Sequence, residues 1–373
     1  MKAEVFTDIL GSEFYTGVPD SQLKALCDFL IDKYDTNPLH HIIAANEGNA
    51  TAIAAGYYLS TGKIPVVYMQ NSGEGNIINP VCSLLHEKVY AIPSIFVIGW
   101  RGEPGVHDEP QHIYQGEITL KLLDDLQIQY FVIRPDTTEV QLCNVMNKYK
   151  EILAQGKSVS FVIGKGALTY SNKVTYKNKY AMTREQIIQC ITDYSGDDTI
   201  VSTTGKASRE LFEIRVRNGQ DHSRDFLTVG SMGHSSSIAL SIALQKPDSR
   251  IWCIDGDGAA LMHMGAMAVI GSCKPENFIH ILINNEAHET VGGMPTVAGN
   301  INMCGVAESC GYKYVKSVET QEALEKELKE VKLKKAPVFI EVHCGIGART
   351  DLGRPTTTPQ ENKQHFMEHI SNL

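Results

Sequence analysis

One acidic side chain and a pair of amides stand where metal and phosphate chemistry is favoured. Asp257 lies in a Gly-Asp-Gly turn, and Asn284 and Asn285 follow the later apolar run 278–283. Carboxylate and amide oxygens, together with diphosphate oxygens, suit octahedral Mg²⁺. The flanking glycines let backbone N–H groups approach an anion closely. The pattern therefore predicts a site for Mg²⁺ and a diphosphate group.

Two strands and one helix are needed to position these residues. The apolar runs 251–254 and 278–283 predict buried strands, and 259–270 has helical length. The first N–H groups of such a helix point at an anion. Ligands of open α/β sheets bind at the carboxyl ends of strands, where Asp257 and Asn285 would meet. Because Asp-Gly is also an ordinary turn signal, the prediction of a metal and diphosphate site depends mainly on the paired asparagines.

A second candidate is Glu47, at the junction of an apolar run, 41–45, and a helix rich in small residues. A buried carboxylate at that junction is costly without a partner. The plainer alternative is an acid at a helix start, stabilised by about 0.3 to 1 kcal/mol through the helix dipole. The residue alone leaves both interpretations open.

Four other loops carry polar groups at predicted strand ends. The loops that contain Asp20 and His112 lie in the first half of the chain, and an unpaired loop histidine is more often structural than catalytic. The second half has Thr204-Gly205 and the run Gly230-Ser231-Met232, with glycines and hydroxyls suited to an anion.

Apolar runs alternate with helical patterns in both halves of the chain, which predicts an α/β fold with two parallel sheets flanked by helices. We predict domains at 1–165 and 183–373, a linker at 166–182, and a helix capped by Thr183. A charged helical pattern over 319–334 predicts a solvated helix. The predicted strands are 41–45, 64–69, 94–98, 129–133 and 158–163, then 199–202, 226–229, 250–254, 278–283 and 337–343.

Composition excludes several classes of function. The formal net charge of -9 provides no basic surface for nucleic acid. No apolar run reaches the roughly 18 residues of a membrane span, and the first residues do not resemble a secretion signal, so we expect a cytoplasmic protein. Nine cysteines without a Cys-x-x-Cys pair argue against zinc and iron–sulfur sites.

Taken together, the Gly-Asp-Gly turn, the helix and the Asn-Asn strand end resemble the diphosphate-binding motif of the thiamine diphosphate enzymes. The segment Ile43-Ala-Ala-Asn-Glu47-Gly resembles the family's Asn-Glu helix. The resemblance implies two thiamine diphosphate-binding-fold domains, the pyrimidine type first and the diphosphate type second. It also implies Mg²⁺ ligands at Asp257, Asn285 and the carbonyl of Ala287.

The same resemblance assigns catalytic roles. Glu47 would bond the pyrimidine ring of thiamine diphosphate and promote deprotonation of the thiazolium carbon. Asp20 or His112, in loops similar to those of pyruvate decarboxylase-like enzymes, would supply the later proton; the turn at Asp20 is one residue shorter, and a single histidine replaces the family's pair. The implied cofactor-binding residues are Thr204, Gly205, Gly230, Ser231, Met232 (as the wedge that bends the cofactor), Gly256, Gly258, Ala259 and Asn285.

A short linker replaces the middle domain of larger members, as in the two-domain decarboxylases of phosphonopyruvate and sulfopyruvate. Segments 16–21, 100–112 and 349–357 are similar to the phosphonopyruvate enzymes. This implies a 2-oxoacid decarboxylase of phosphonate biosynthesis, with Arg101, Arg349 and Arg354 as arginine forks for the substrate anion.

Several alternatives stay open at this stage. A sulfopyruvate decarboxylase differs only in its substrate anion, and a non-catalytic subunit of the same fold would not need Glu47, Asp257 and Asn285 together. A nicotinamide-dependent dehydrogenase would need Gly-x-Gly-x-x-Gly after a first strand, which is missing. The family also implies a homo-oligomer with active sites between subunits, a small anionic 2-oxoacid as ligand, and neither nucleic acid nor membrane as partner.

Overall fold

The chain folds into two compact units. The computed structural model describes residues 1–373, and divides them into an amino-terminal unit (1–175 with 291–294) and a carboxy-terminal unit (176–290 with 295–373). The division falls inside the predicted linker, although the predicted domain limits themselves stay a prediction. None of the helices combines the length and apolar character needed to cross a membrane.

The amino-terminal unit is built on a six-stranded, fully parallel sheet. Its strands are β1 (Tyr15–Gly17), β2 (His41–Ile43), β3 (Val66–Gln70), β4 (Ile95–Gly99), β5 (Gln129–Ile133) and β6 (Val159–Ile163), and its helices are α1 (Ala3–Leu10), α2 (Lys24–Tyr34), α3 (Glu47–Thr61), α4 (Glu74–Pro80), α5 (Pro110–Asp125) and α6 (Glu139–Ala154). The spatial order of the strands is β2-β1-β3-β4-β6-β5.

A second parallel six-stranded sheet forms the carboxy-terminal unit. The strands that follow along the chain are β7 (Thr199–Ser202), β8 (Asp225–Leu227), β9 (Ile251–Gly256), β10 (Phe278–Asn284), the short β11 (Ala287–His288) and β12 (Met294–Pro295), β13 (Tyr314–Val318) and β14 (Val338–His343). The helices are α7 (Arg184–Ser195), α8 (Lys206–Arg217), α9 (Ser235–Gln245), α10 (Asp257–Met262), α11 (Gly265–Cys273), α12 (Met303–Cys310), α13 (Gln321–Val331) and α14 (Pro359–Ser371).

Both sheets have the same strand order. The second sheet runs β13-β14-β10-β9-β7-β8, so its six strands, numbered from the start of their unit, follow the same 2-1-3-4-6-5 order as the first. In each unit the chain reverses its direction of travel beside the first strand. The carboxyl ends of the first and third strands of each unit, which are adjacent in the sheet, therefore border a crevice of the kind where α/β sheets bind ligands.

Burial on both faces explains the apolar strands. Strands β4, β6 and β10 are buried throughout, which is typical of parallel sheets covered by helices on both sides. Separate clusters of buried side chains occupy the two units: one includes Phe96 and Ile98, the other Trp252 and Ile281. These observations confirm the predicted α/β fold with two helix-flanked parallel sheets.

Two strands and one helix differ from the predictions. Strand β1 was not predicted because it has only three residues, inside a loop with glycine and proline; β13 was not predicted because it is a half-exposed edge strand. The single helix predicted over 259–270 is wrong, since the chain leaves helical geometry at His263 and forms α10 and α11. The cap at Thr183 is confirmed with its full capping box, and the charged segment does form α13.

Helices α11 and α12 approach each other closely at Gly271, which generates a first prediction. A Cβ atom at residue 271 would overlap the backbone carbonyl of Cys310, whereas one at Gly265, in the same helix, would meet nothing within 4 Å. Because backbone cannot move aside cheaply, we expect Gly271→Ala to lower the free energy of unfolding by roughly 1–3 kcal/mol. Urea unfolding measures it. Gly265→Ala is the matched control, and equal losses in both variants would contradict the packing argument.

Candidate active site

The predicted acids of the amino-terminal unit lie at one edge of its sheet. Asp20 follows β1 and Glu47 opens α3 after β2. The segment 71–76 follows β3, and the loop 100–109 follows β4. Since all six strands are parallel, their carboxyl ends meet at this edge.

Glu47 is almost fully buried, at 4% exposure. Its carboxylate accepts a hydrogen bond from the amide of Asn76 at 2.6 Å, while Asn46 caps the helix by accepting from the Asn49 N–H. Burial raises the pKa of Glu47, and the Asn76 bond only partly offsets this. A Cβ atom at Gly73 would lie 2.5 Å from the Glu47 side chain, so the glycine leaves the space that the carboxylate occupies.

Asp20 has no exposed surface and lies in the crevice beside β1. Gln70 Nε2 donates to Oδ1 at 2.6 Å, and the Gln22 N–H donates to Oδ2 at 3.0 Å. Burial raises the pKa of Asp20, against the Gln70 bond and the charge of Arg101. Burial therefore favours the protonated form of Asp20 more than water would.

The loop after β4 is fixed by Arg101. Its guanidinium donates to both oxygens of Asp108, at 2.7 and 2.5 Å, and its Nη1 donates to Ser21 Oγ at 2.9 Å. Burial and the charge of Arg101 lower the pKa of His112, which lies in the first turn of α5, to about 4. The His112 imidazole is therefore neutral at physiological pH.

The predicted metal ligands of the carboxy-terminal unit lie close together. Asp257 is buried, and its Oδ2 accepts from Thr296 Oγ1 at 2.6 Å. The Ala287 N–H donates to Asn285 Oδ1 at 3.1 Å and also lowers the pKa of Asp257, so these three residues are neighbours.

The surroundings of Asp257 show whether Mg²⁺ fits this site. Burial raises its pKa to about 7, and every hydrogen-bond donor around it is neutral. A buried carboxyl group with no cationic side chain, next to amide and carbonyl oxygens, has the hard oxygen donors that Mg²⁺ requires. The residues present therefore fit the ion.

Residues predicted to contact the cofactor surround the same turn. Gly258 leaves room for the side chains of Met232 and His288, whose atoms would lie 3.3 and 3.2 Å from a Cβ atom there. Ser231 has a left-handed backbone with φ of 57°. The remaining predicted residues lie at or shortly after the ends of β7, β8 or β9: Thr204, Gly205, Gly230, Gly256 and Ala259.

A buried polar chain lies beneath this turn. Tyr312 Oη contacts His280 Nδ1 at 3.0 Å, and His280 Nε2 contacts Asp255 Oδ2 at 3.4 Å. Asp255 Oδ1 accepts from the Gly256 N–H at 2.9 Å. Cys253 also lies close by, but both nitrogens of His280 are engaged, so we interpret the group as support for the turn.

The predicted substrate arginines belong to different units, and each is described within its own. Arg349, within the carboxy-terminal unit, pairs with Glu185, Glu213 and Asp351, and Arg354 is exposed in the same loop. Arg101 is held by Asp108 in its own unit. Carboxylates thus occupy the forks of Arg101 and Arg349, and the roles of all three as substrate ligands stay a prediction.

Comparison with known proteins identifies the family to which the chain belongs. Residues 3–122 match the family "Thiamine pyrophosphate enzyme, N-terminal TPP binding domain", and residues 203–342 match its "C-terminal TPP binding domain". The phosphonopyruvate decarboxylase of Streptomyces viridochromogenes is 32% identical over 97% of this chain and 92% of its own length.

The chain belongs to the thiamine diphosphate enzyme family. It is a thiamine diphosphate-dependent decarboxylase. A sulfopyruvate decarboxylase of Methanosarcina acetivorans is 25% identical over 96% of this chain and 94% of its own length. The beta subunit of the Methanocaldococcus jannaschii sulfopyruvate decarboxylase is 38% identical over 39% of this chain and 75% of its own length.

Sequence reasoning missed three residues of this decarboxylase: Gly73, Glu74 and Asn76. A Gly-Glu-Gly triplet at 73–75 follows shortly after the buried strand β3, but that local pattern does not show that the acid is buried. Glu74 has no exposed surface, and neither of its carboxyl oxygens has a hydrogen-bond partner. The Thr119 hydroxyl, which lowers the pKa of Glu74 to a smaller extent than burial raises it, donates its hydrogen bond to Gln115 O. Burial therefore raises the pKa of Glu74 to about 9.

The space at Gly73 generates a second prediction. In Gly73→Ala the new methyl group would displace the Glu47 carboxylate from Asn76, so we expect decarboxylation to fall by about 100-fold or more, as misplaced catalytic groups typically cause. Steady-state kinetics measure this, and thermal unfolding checks the fold. Gly56→Ala, in α3 with nothing within 4 Å, is the control; wild-type rates in Gly73→Ala would refute the positioning role.

Glu74 generates a third prediction, on stability. Its folded pKa of about 9 exceeds the ordinary 4.5, so its contribution to stability is complete below pH 4.5 and is lost as pH rises towards 9. The loss is about 1.4 kcal/mol per pH unit in that window.

We therefore expect Glu74→Leu to be more stable than wild type at pH 8, with a smaller difference at pH 5, in urea unfolding. Glu74→Gln is the control, since it removes the charge and keeps a buried polar group without a partner. A difference between Glu74→Leu and wild type that does not change with pH would show that Glu74 is not the titrating group.

Proposed function

We propose that this decarboxylase converts 3-phosphonopyruvate to phosphonoacetaldehyde and CO₂, with thiamine diphosphate and Mg²⁺. The observation that carries the proposal is the similarity to a phosphonopyruvate decarboxylase over nearly the whole of both chains. The sulfopyruvate decarboxylase that matches over a comparable length is less similar, at 25% identity against 32%.

The two ends of the cofactor would be held by different groups. Thiamine diphosphate supplies a nucleophilic carbon and an electron sink. Asp257, Asn285 and the Ala287 carbonyl would hold Mg²⁺ and, with the turns at Gly205, Gly230 and Gly258, the diphosphate. Glu47 would bond the pyrimidine ring. Its burial supports this role, because burial raises the pKa of the carboxyl group and so makes its protonated form easier to reach than in water.

The electrostatics favour Asp20 over His112 as the proton donor. With a pKa of about 4, His112 carries no transferable extra proton at neutral pH. Burial raises the pKa of Asp20, and its neutral partners Gln70 and the Gln22 N–H leave the protonated form accessible. We therefore assign the proton to Asp20 and a hydrogen-bonding role to neutral His112.

Among the arginines, Arg101 is the best candidate for binding the phosphonate. Its charge acts on Asp20, and one fork position contacts only the Ser21 hydroxyl, which a substrate oxygen could replace. Arg349 is already paired with three carboxylates, and Arg354 lies beside it in sequence. We further propose a cytoplasmic homo-oligomer, with active sites between subunits.

A parallel assay of phosphonopyruvate, sulfopyruvate and pyruvate tests this proposal. Aldehyde formation is measured with thiamine diphosphate and Mg²⁺ present, and again with each withheld. We expect turnover that depends on both and is fastest with phosphonopyruvate. Preference for sulfopyruvate would reassign the substrate, and no turnover of any acid would favour a non-catalytic subunit.

Glu47→Gln is the mechanistic control in the same assay. Gln keeps the size of the side chain but cannot exchange the proton, so we expect turnover to be largely abolished while the cofactor still binds. Calorimetric titration with thiamine diphosphate separates the two effects. Unchanged turnover would contradict the assigned role of Glu47.

A further inference from the structure

The side chain of Asn285 raises a question of orientation. The two ends of a carboxamide have almost the same shape, but only the oxygen can bind a cation. Asn285 Nδ2 donates to Glu289 Oε2 at 2.9 Å, and Oδ1 accepts from the Ala287 N–H. Because a carboxylate only accepts hydrogen bonds, Glu289 requires the NH₂ end of Asn285 to face it.

Glu289 is itself held by two cations. Arg184 Nη1 contacts its Oε2 at 2.8 Å, and Lys206 Nζ contacts its Oε1 at 2.9 Å. The Glu289 side chain is only 7% exposed, so it is held from both sides within the protein.

Arg184 is fixed in turn by a second acid. Its Nε and Nη2 both donate to the carboxylate of Glu210 at 2.7 Å, and the Glu210 side chain is 1% exposed. The four residues Arg184, Lys206, Glu210 and Glu289 form a network with two charges of each sign. Such a balanced group can be buried, and breaking it by removing one partner is costly.

We propose that Glu289, clamped between Arg184 and Lys206, is a positioning residue that fixes the Asn285 amide with its oxygen directed to the metal site. This inference rests on the proposed Mg²⁺ role of Asn285. Neither Glu289 nor the network was singled out from the sequence, because its members come from three separate segments of the chain, at Arg184, at α8 and at Glu289, which meet only after β7 and β10 are paired through β9.

The test is the affinity for Mn²⁺, used as a paramagnetic substitute for Mg²⁺, with thiamine diphosphate present. In Glu289→Gln the new amide offers both a donor and an acceptor, so Asn285 can pair with it either way round. We expect Mn²⁺ to bind about 10- to 100-fold more weakly, the usual effect of losing a partner behind a metal ligand. Electron paramagnetic resonance measures free Mn²⁺ without any need for turnover.

The matched control is Glu286→Gln. It makes the same change of charge in the same segment, but the Glu286 carboxylate contacts Tyr180 rather than Asn285. Its Mn²⁺ affinity should stay within about twofold of wild type. Should Glu289→Gln fail to fold, Lys206→Gln loosens the same carboxylate from its more exposed side and should weaken Mn²⁺ several-fold.

The outcomes separate the two proposals. Folded Glu289→Gln, or Lys206→Gln in its place, with wild-type Mn²⁺ affinity would overturn the positioning role and leave the proposed function intact. Equal losses in Glu289→Gln and Glu286→Gln would also overturn it, because charge alone would then explain them. Absence of Mn²⁺ binding in the wild type would instead remove the metal site on which both proposals depend.

Discussion

Burial of carboxyl groups among neutral hydrogen-bond donors is the constraint on which both units depend. Asp20 is held by a glutamine side chain and backbone N–H groups, and Glu47 by Asn76. Asp257 is held by Thr296 and backbone N–H groups. The buried Asp225 is different, because it takes both donors of Arg215 at 2.8 and 2.9 Å. Burial raises the pKa of Asp225 as well, but its ion pair with Arg215 favours the charged carboxylate, whereas neutral donors leave the proton of a buried acid exchangeable or its oxygens available to a cation.

The parallel topology of the sheets explains how these buried carboxyl groups and their hydrogen-bond partners come together. Strands that run in one direction end at one edge, and the free N–H groups of the following helices point towards that edge. Residues from separate loops therefore converge without long excursions of the chain: Gln70 reaches Asp20 across the crevice between β3 and β1, and Asn76 reaches Glu47 from the segment after β3. The cores beneath are apolar on both faces of the sheet, so the cost of burying the acids is offset by packing in the same unit.

The sequence revealed most of this arrangement where a signal was local. The turn at Asp257 and the asparagines at the end of β10 were recognisable because each follows a continuous apolar run. Ten of the twelve strands in the two six-stranded sheets were predicted for the same reason. Glu74 and Gly73 were not predicted, because burial of that acid and contact with Glu47 arise only when α3 and α4 pack. The pairing of Arg101 with Asp108 could not be predicted either. An arginine and an aspartate in the same loop can be solvated separately as readily as they can form an ion pair.

The choice of an amide at position 285 follows from its surroundings. Glu289 is anchored by Arg184 and Lys206, and its acceptor oxygen faces residue 285. An aspartate there would set two carboxylates against each other in a buried site, and one would be forced to take up a proton. An asparagine satisfies the acceptor through its NH₂ group and still presents an oxygen on its other side. Under the proposed assignment the single charged oxygen donor would be Asp257, which has no cationic side chain beside it, so a bound divalent ion would meet one negative charge and two neutral oxygens from the protein. Part of the ion's charge would then be left for a diphosphate to balance, which would couple retention of the metal to retention of the cofactor.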